Sequence, residues 1–219
     1  PQTGKRAIIT TDLKQLGGDG VLVVGGGGRE HAIVRALKRS AAVGTVYGAP
    51  GNAGMDVTET GISATDIDGV VAFVAAHPDI KLTVVAPDDP LSMGIVDVLS
   101  AKGYKAFGPT KAAAKLEWSK AYAKDFMRRY GIPTAEYESF DSADAAKRYI
   151  RECGFRVVVK ADGLALGKGV VVCETSEDAE RAVDDIMSDK KFGAAGDRIV
   201  VERFLSGYEV SLLAFTDGV

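Results

Sequence analysis

The sequence predicts an α/β protein in two parts: a domain on a parallel sheet covered by helices on both faces, then a second unit carrying a glycine-tipped β-hairpin. Three observations predict it. In the first half, the continuous apolar runs Val21-Leu22-Val23-Val24 and Leu82-Thr83-Val84-Val85 alternate with segments of helical period. Strands apolar at every position are buried on both faces, which requires helices on both sides of a parallel sheet. Four glycines, Gly25 to Gly28, close the first of these strands. In the second half, "VVVKADGLALGKGVVVCE" over residues 157–174 sets two β-branched runs around a glycine-rich turn, which reads as strand, loop, strand.

Residues 1–19 are polar, begin at Pro1 and lack the apolar core of a signal peptide. They read as a poorly ordered extension, whether added, processed or lying at a fragment boundary. After the strand at 21–24, residues 29–40 place Ala32, Ile33, Ala36 and Leu37 at helical spacing. Thr45-Val46-Tyr47 reads as the next strand, 70–76 as a helix, 82–85 as a strand and 94–102 as a helix. Residues 110–130 are helical in pattern, with Gly131 as a stop and Pro133 beyond it. Ser119 can cap a second helix, so a break is expected near Trp118, with Lys120 in the first turn after it. A second unit is expected to begin near Tyr137: a helix over 141–151, the hairpin, a capping box at Thr175-Ser-Glu-Asp178 opening a helix to about Met187, and a strand over 199–202. The closing "LLAFTDGV" reads as a strand and a turn that should lead to a partner strand, so the chain is read as truncated.

Composition narrows the class. With 46% hydrophobic residues the 219-residue chain can bury a core, and a net charge of −3 with no basic stripe argues against a nucleic-acid or membrane-surface binder. Cys153 and Cys173 have no metal-site spacing and read as reduced thiols of a cytoplasmic protein. No apolar run approaches the ~20 residues that span a bilayer.

The hairpin is not a Walker A loop. Gly163-Leu-Ala-Leu-Gly167-Lys168 is one residue short, Gly169 stands where Ser or Thr would be, and a strand follows instead of a helix. A hairpin can still cover a triphosphate. Gly163, Gly167 and Gly169 allow positive φ and close approach of N–H groups to phosphate oxygens, and Lys160 adds charge from a strand end. An ordinary hairpin with solvated lysines is the competing reading, and the residues alone leave the two about even. The first glycine turn fails the dinucleotide fingerprint: Glu30 occupies the third glycine position, and no acidic residue follows at the second strand end. A backbone site for another substrate's phosphate and a purely structural turn remain open. His31 and His77 have no partner nearby in sequence and read as structural.

Together, "GGGGREHA", "APGNAG", "DDPLSMGIVD", "FGPTKAAAKLEWSKAYAKDFM", "GIPTA", "VVKADGLALGKGVVV" and "FGAAGDRIVVERFLSGYEVS" resemble the glycinamide ribonucleotide synthetase (phosphoribosylamine–glycine ligase) family of the ATP-grasp superfamily, in family order from Val21 onward. The resemblance implies that residues 20–136 are the N-terminal Rossmann-like domain with connecting helices, 137–209 the ATP-grasp lid subdomain, and 210–219 the start of the larger ATP-grasp lobe. It implies ligation of glycine to 5-phosphoribosylamine with ATP and Mg²⁺ in purine biosynthesis, through a glycyl phosphate. For ATP it implies Lys120 and Lys160 on the phosphates, Gly163, Gly167, Lys168 and Gly169 in the lid, Glu202, Arg203, Phe204 and Leu205 along the adenine edge, and Glu209 on the ribose. For the ribosylamine it implies Gly27, Gly28, Arg29, Glu30, Asn52 and Asp88. Three positions depart from the family: Asp88 where Glu is usual, Arg203 where a second Glu is usual, and Gly26 where Asn is common. The magnesium ligands and the glycine site are expected beyond residue 219, so the 219-residue piece alone is expected to be inactive, within a full-length monomer or a fusion with other purine enzymes. Another ATP-grasp ligase or carboxylase, and a non-catalytic nucleotide-binding piece, are the alternatives.

Overall fold

The computed structural model describes residues 18–165 and 168–212. Most of the extension expected over 1–19, Gly167 at the hairpin tip and the strand expected near the end of the chain lie outside the described residues. The chain divides into two compact units whose sequence boundary falls between Ala114 and Lys115.

The first unit is a five-stranded parallel sheet. Its elements are β1 (Asp19–Gly25), α1 (Gly28–Lys38), β2 (Val43–Pro50), β3 (Thr58–Glu59), α2 (Ile67–Ala76), β4 (Ile80–Val85), α3 (Asp88–Met93), α4 (Ile95–Ala101) and β5 (Ala106–Phe107), with strand order β3-β2-β1-β4-β5. β1 is central and buried from Gly20 to Gly25: Val21 and Val23 pack with Val34, Val46, Met55 and Val84, while Leu22 and Val24 bury the opposite face. Because β2 and β4 flank β1, the chain leaves the carboxyl end of the sheet in opposite directions there, the position where such sheets open a crevice. The helix expected over 94–102 starts one residue later, because Gly94 at φ +94° ends a preceding helix, α3, that the period did not reveal. Pro90 sits in the first turn of α3, where its missing N–H costs nothing.

The second unit is an antiparallel sheet of order β6-β9-β7-β8, with β6 Tyr137–Phe140, β7 Val157–Ala161, β8 Val170–Val172 and β9 Ile199–Arg203. Alternation assigns its faces. Val157, Val159, Ala161, Ile199 and Val201 pack on α7 (Ala143–Glu152) and α8 (Ser176–Val183), through Ala146, Ile150, Ala179, Ala182 and Val183. Val200 and Tyr137 face the other way, against Ala121 of α6 (Lys120–Arg129). The expected break before α6 is present: α5 spans Lys111–Trp118, and the buried Ser119 hydroxyl accepts the Tyr122 N–H at 3.2 Å. The capping box is present too, with Asp178 N–H donating to Thr175 Oγ1 and Thr175 N–H to Asp178 Oδ2, each at 3.1 Å. That helix does not run as α-helix to Met187; it widens into a π-turn over Asp184–Ser188, which keeps Ile186 and Met187 buried. A 3₁₀ turn, Gly193–Gly196, then packs so tightly that a Cβ on Gly196 would lie 2.2 Å from the Ile186 carbonyl oxygen. Gly196→Ala is therefore expected to destabilise this unit by about 3 kcal/mol, since a backbone carbonyl cannot swing aside as a side chain can. Urea unfolding of the two proteins would check it.

Candidate functional site

In the second unit the site grows from strand register. Val158 of β7 faces Glu202 of the central strand β9, and Lys160 faces Val200. Lys160 and Glu202 are therefore diagonal neighbours on one face, and the Lys160 ammonium contacts Glu202 Oε1. α6 covers that face and brings a second cation: Lys124 Nζ lies 2.5 Å from Glu202 Oε2, an ion pair without hydrogen-bond alignment. The Lys124 ammonium also donates to Thr134 Oγ1 at 2.7 Å and to the Ala135 carbonyl at 3.4 Å, and it lies over the Tyr137 ring. Glu202 is buried, which raises its carboxyl pKa. The ammonium groups of Lys124 and Lys160 beside it outweigh that, holding it below the usual glutamate range.

Lys120 arrives from the start of α6. Asp162, two residues beyond Lys160, caps that helix: its Oδ1 accepts the Ala121 N–H at 2.6 Å and the Ser119 hydroxyl at 3.1 Å, and its carbonyl accepts the Lys120 N–H at 3.2 Å. This tie between α6 and the hairpin puts Lys120 Nζ 3.4 Å from the Gly163 carbonyl. Burial lowers the Lys120 pKa; Asp162 and Glu117 oppose the shift, and the neighbouring Lys160 ammonium adds to it. Two ammonium groups thus converge beside a glycine-rich loop, an arrangement that favours a multiply charged anion.

The glycines act differently from expectation. Gly163 and Gly169 are not in the positive-φ region, so free rotation is not why glycine is needed there. A Cβ on Gly163 would sit 2.9 Å from the Ala195 methyl, and one on Gly169 would sit 2.7 Å from the Ala165 methyl; both positions require close approach. The Gly169 carbonyl accepts the Ala161 N–H at 2.8 Å, which closes the hairpin, and the Lys168 N–H donates to the Ala165 carbonyl at 2.9 Å, leaving the Lys168 side chain exposed. Along the hinge, the Arg203 and Phe204 N–H groups are taken by the Glu136 and Arg156 carbonyls, both at 2.8 Å, while Leu205 is exposed. The Arg203 side chain pairs with Glu136 at 2.8 Å, away from the Glu202 face, and Glu209 lies exposed beyond the strand.

In the first unit, the carboxyl ends of β1, β2 and β4 bring the other six candidates to three loops. Gly25, at φ +118°, could not carry a side chain: a Cβ would lie 2.6 Å from Glu30 Cγ and 2.7 Å from Pro87 Cγ. Glu30 is buried and accepts the Gly27 N–H at 2.7 Å. Asn52 donates to the Gly26 carbonyl at 2.9 Å and accepts the Gly54 N–H at 2.8 Å. Glu30 and Asn52 thus brace the turn with their own polar atoms. Gly28 and the exposed Arg29 stand at the first turn of α1, and Asp88 is half-buried at the start of α3. Two residues of the second-unit site, Lys124 and Asp162, escaped the sequence reading. The signals were present: Lys124 is one helical turn after Lys120, and Asp162 is one strand repeat after Lys160.

Comparison with known proteins agrees with this division. Residues 19–117 match the family model described as phosphoribosylglycinamide synthetase, N domain, and residues 118–219 match its ATP-grasp (A) domain. The phosphoribosylamine–glycine ligase of Yersinia pestis is 50% identical over 202 residues, covering 90% of this chain and 47% of that protein. The Streptococcus pyogenes serotype M6 ligase is 50% identical over 201 residues, covering 90% and 48%. The crystal structure of the Thermotoga maritima phosphoribosylamine–glycine ligase superposes with a TM-score of 0.69 at 31% identity, over 86% of this chain and 44% of that one. A biotin carboxylase from Campylobacter jejuni, described as a β,γ-ATP complex, shares the fold at 18% identity and a TM-score of 0.66. The chain spans about half the length of the curated relatives it matches.

Proposed function

Since the chain belongs to the phosphoribosylglycinamide synthetase family, we propose that it serves the ATP-dependent ligation of glycine to 5-phosphoribosylamine, in the cytoplasm, as part of purine biosynthesis. The observation that carries this reading is the convergence of Lys120 and Lys160 beside the glycine hairpin, in the half matching the ATP-grasp domain. In the proposed reaction a glycine carboxylate oxygen attacks the γ-phosphorus of ATP, forming glycyl phosphate and ADP. The ribosylamine nitrogen then attacks the acyl carbon, and phosphate leaves with the bonding pair. Phosphoryl transfer makes few covalent demands on the protein, so cations and backbone donors around the phosphates supply most of the stabilisation.

We assign Lys120 and Lys160 to the phosphates, with the 163–169 loop, Lys168 included, folding over them to exclude water from the acyl phosphate. The adenine edge falls to Glu202, Arg203, Phe204 and Leu205. With the Arg203 and Phe204 N–H groups engaged inside the sheet, Leu205 is the donor of that stretch. Glu209 takes the ribose. Gly27, Gly28, Arg29, Glu30, Asn52 and Asp88 form the ribosylamine site, in which Glu30 and Asn52 shape the loop while Arg29 and the first α1 amides meet the phosphate. The described residues do not fit a magnesium site: no group of three or more Asp, Glu, His or Cys is placed for one among them, and Glu202 is neutralised by two lysines. Among the described residues no helix is long and apolar enough to cross a membrane.

The test is ADP release by the full-length protein carrying this chain. Release is expected only when glycine and 5-phosphoribosylamine are both present; release with glycine and an unrelated amine in place of the ribosylamine would overturn the assignment.

A further inference from the structure

We infer that Lys124 is a positioning residue, which neutralises Glu202 from beneath the sheet so that the Lys160 ammonium stays available to an incoming anion. The inference rests on the reading of Lys160 as a phosphate ligand. Lys124 itself is a poor candidate for an external ligand. It is 8% exposed, and three oxygens already surround its ammonium: Thr134 Oγ1, the Ala135 carbonyl and Glu202 Oε2. With Thr134 and Ala135 as its acceptors and Glu202 Oε2 against it at 2.5 Å, the buried ammonium has no open side for a nucleotide. The Lys160 side chain keeps 25% of its exposure and contacts Glu202 through the other carboxylate oxygen.

Charge arithmetic on this face then decides the outcome. With Lys124 present, one carboxylate meets two ammonium groups and the cluster carries +1. Without Lys124, Glu202 and Lys160 form a closed pair of net charge zero, and a triphosphate must compete with a buried carboxylate for its own cation. Buried opposite charges bind each other strongly where water is scarce, so that competition is costly.

The test is calorimetric titration of the full-length protein with a β,γ-imido analogue of ATP. Lys124→Met is expected to weaken binding roughly tenfold or more, and Lys124→Arg, which keeps the charge, by less than about threefold. The informative variant is Lys124→Met with Glu202→Gln. It keeps the Glu202 backbone, through which the adenine edge is assigned, and it has no buried carboxylate to occupy Lys160 or to be left half-paired, so its affinity is expected within about fivefold of wild type. A merely structural role for Lys124 would not be repaired by removing Glu202's charge. An affinity of the double variant weakened by about a hundredfold, or an unchanged affinity of Lys124→Met, would overturn the inference while wild-type binding upholds the site. Failure of the wild-type protein to bind the analogue would instead overturn the reading of the site, and this inference with it.

Discussion

Replacing Lys160 by Met is expected to lower kcat/KM for ATP by about 10²–10³ in the full-length protein, the range seen when one preorganised transition-state donor is removed. Two terms act together. The triphosphate loses a cation presented from the strand end, and the remaining cluster of Lys124 and Glu202 carries no net charge. Met keeps the length of the aliphatic stem and its contact with the sheet, so the second unit should melt within about 1 kcal/mol of wild type. Steady-state kinetics with ATP varied, alongside a urea titration monitored by circular dichroism, separates binding from folding. A change in kcat/KM smaller than about threefold would remove Lys160 from the phosphate site.

Glu202→Ala should act on the fold before it acts on the chemistry. Removing the carboxylate leaves Lys124 buried with only neutral partners, and breaking a buried ion pair from one side costs about 3–5 kcal/mol. That is a large share of the ~5–15 kcal/mol that holds a domain together. The acid limb of stability should change with it. Glu202 titrates below its ordinary value of 4.5 in the folded chain. Its contribution therefore stands in full above that value and is lost as the pH falls through the folded pKa. Below that limb, wild type and Glu202→Ala should converge in stability, whereas at neutral pH they should differ by the full amount. Equal urea midpoints at pH 7 would show that the Lys124–Glu202–Lys160 cluster contributes nothing to the fold.

Much of the architecture was readable from local pattern. The apolar run 21–24 of β1 required a sheet covered on both faces, the β-branched runs around 163–169 required a hairpin, and Ser119 and Thr175 marked two helix starts. Each of these rests on interactions within a few residues, or on periodicity. What escaped had no such signature. The two-residue strands β3 and β5 are too short to show a period, and the six-residue α3 was hidden by Pro90 within it and Gly94 at its end. By residue type alone the hairpin glycines stand for backbone freedom. Their environment shows instead that Gly163 and Gly169 are small because Ala195 and Ala165 press against them.

The sequence by itself determined which lysines, glycines and carboxylates exist, and on which strand, turn or helix each stands, because propensity and alternation act locally. Only the tertiary structure decided their partners. Lys160 meets Glu202 across 42 positions of chain, and Asp162 reaches back to cap the helix that carries Lys120. Those pairings are set by antiparallel register and by α6 lying across one face of the sheet. A carboxylate buried between two ammonium groups has a charge balance that neither end of the chain encodes alone.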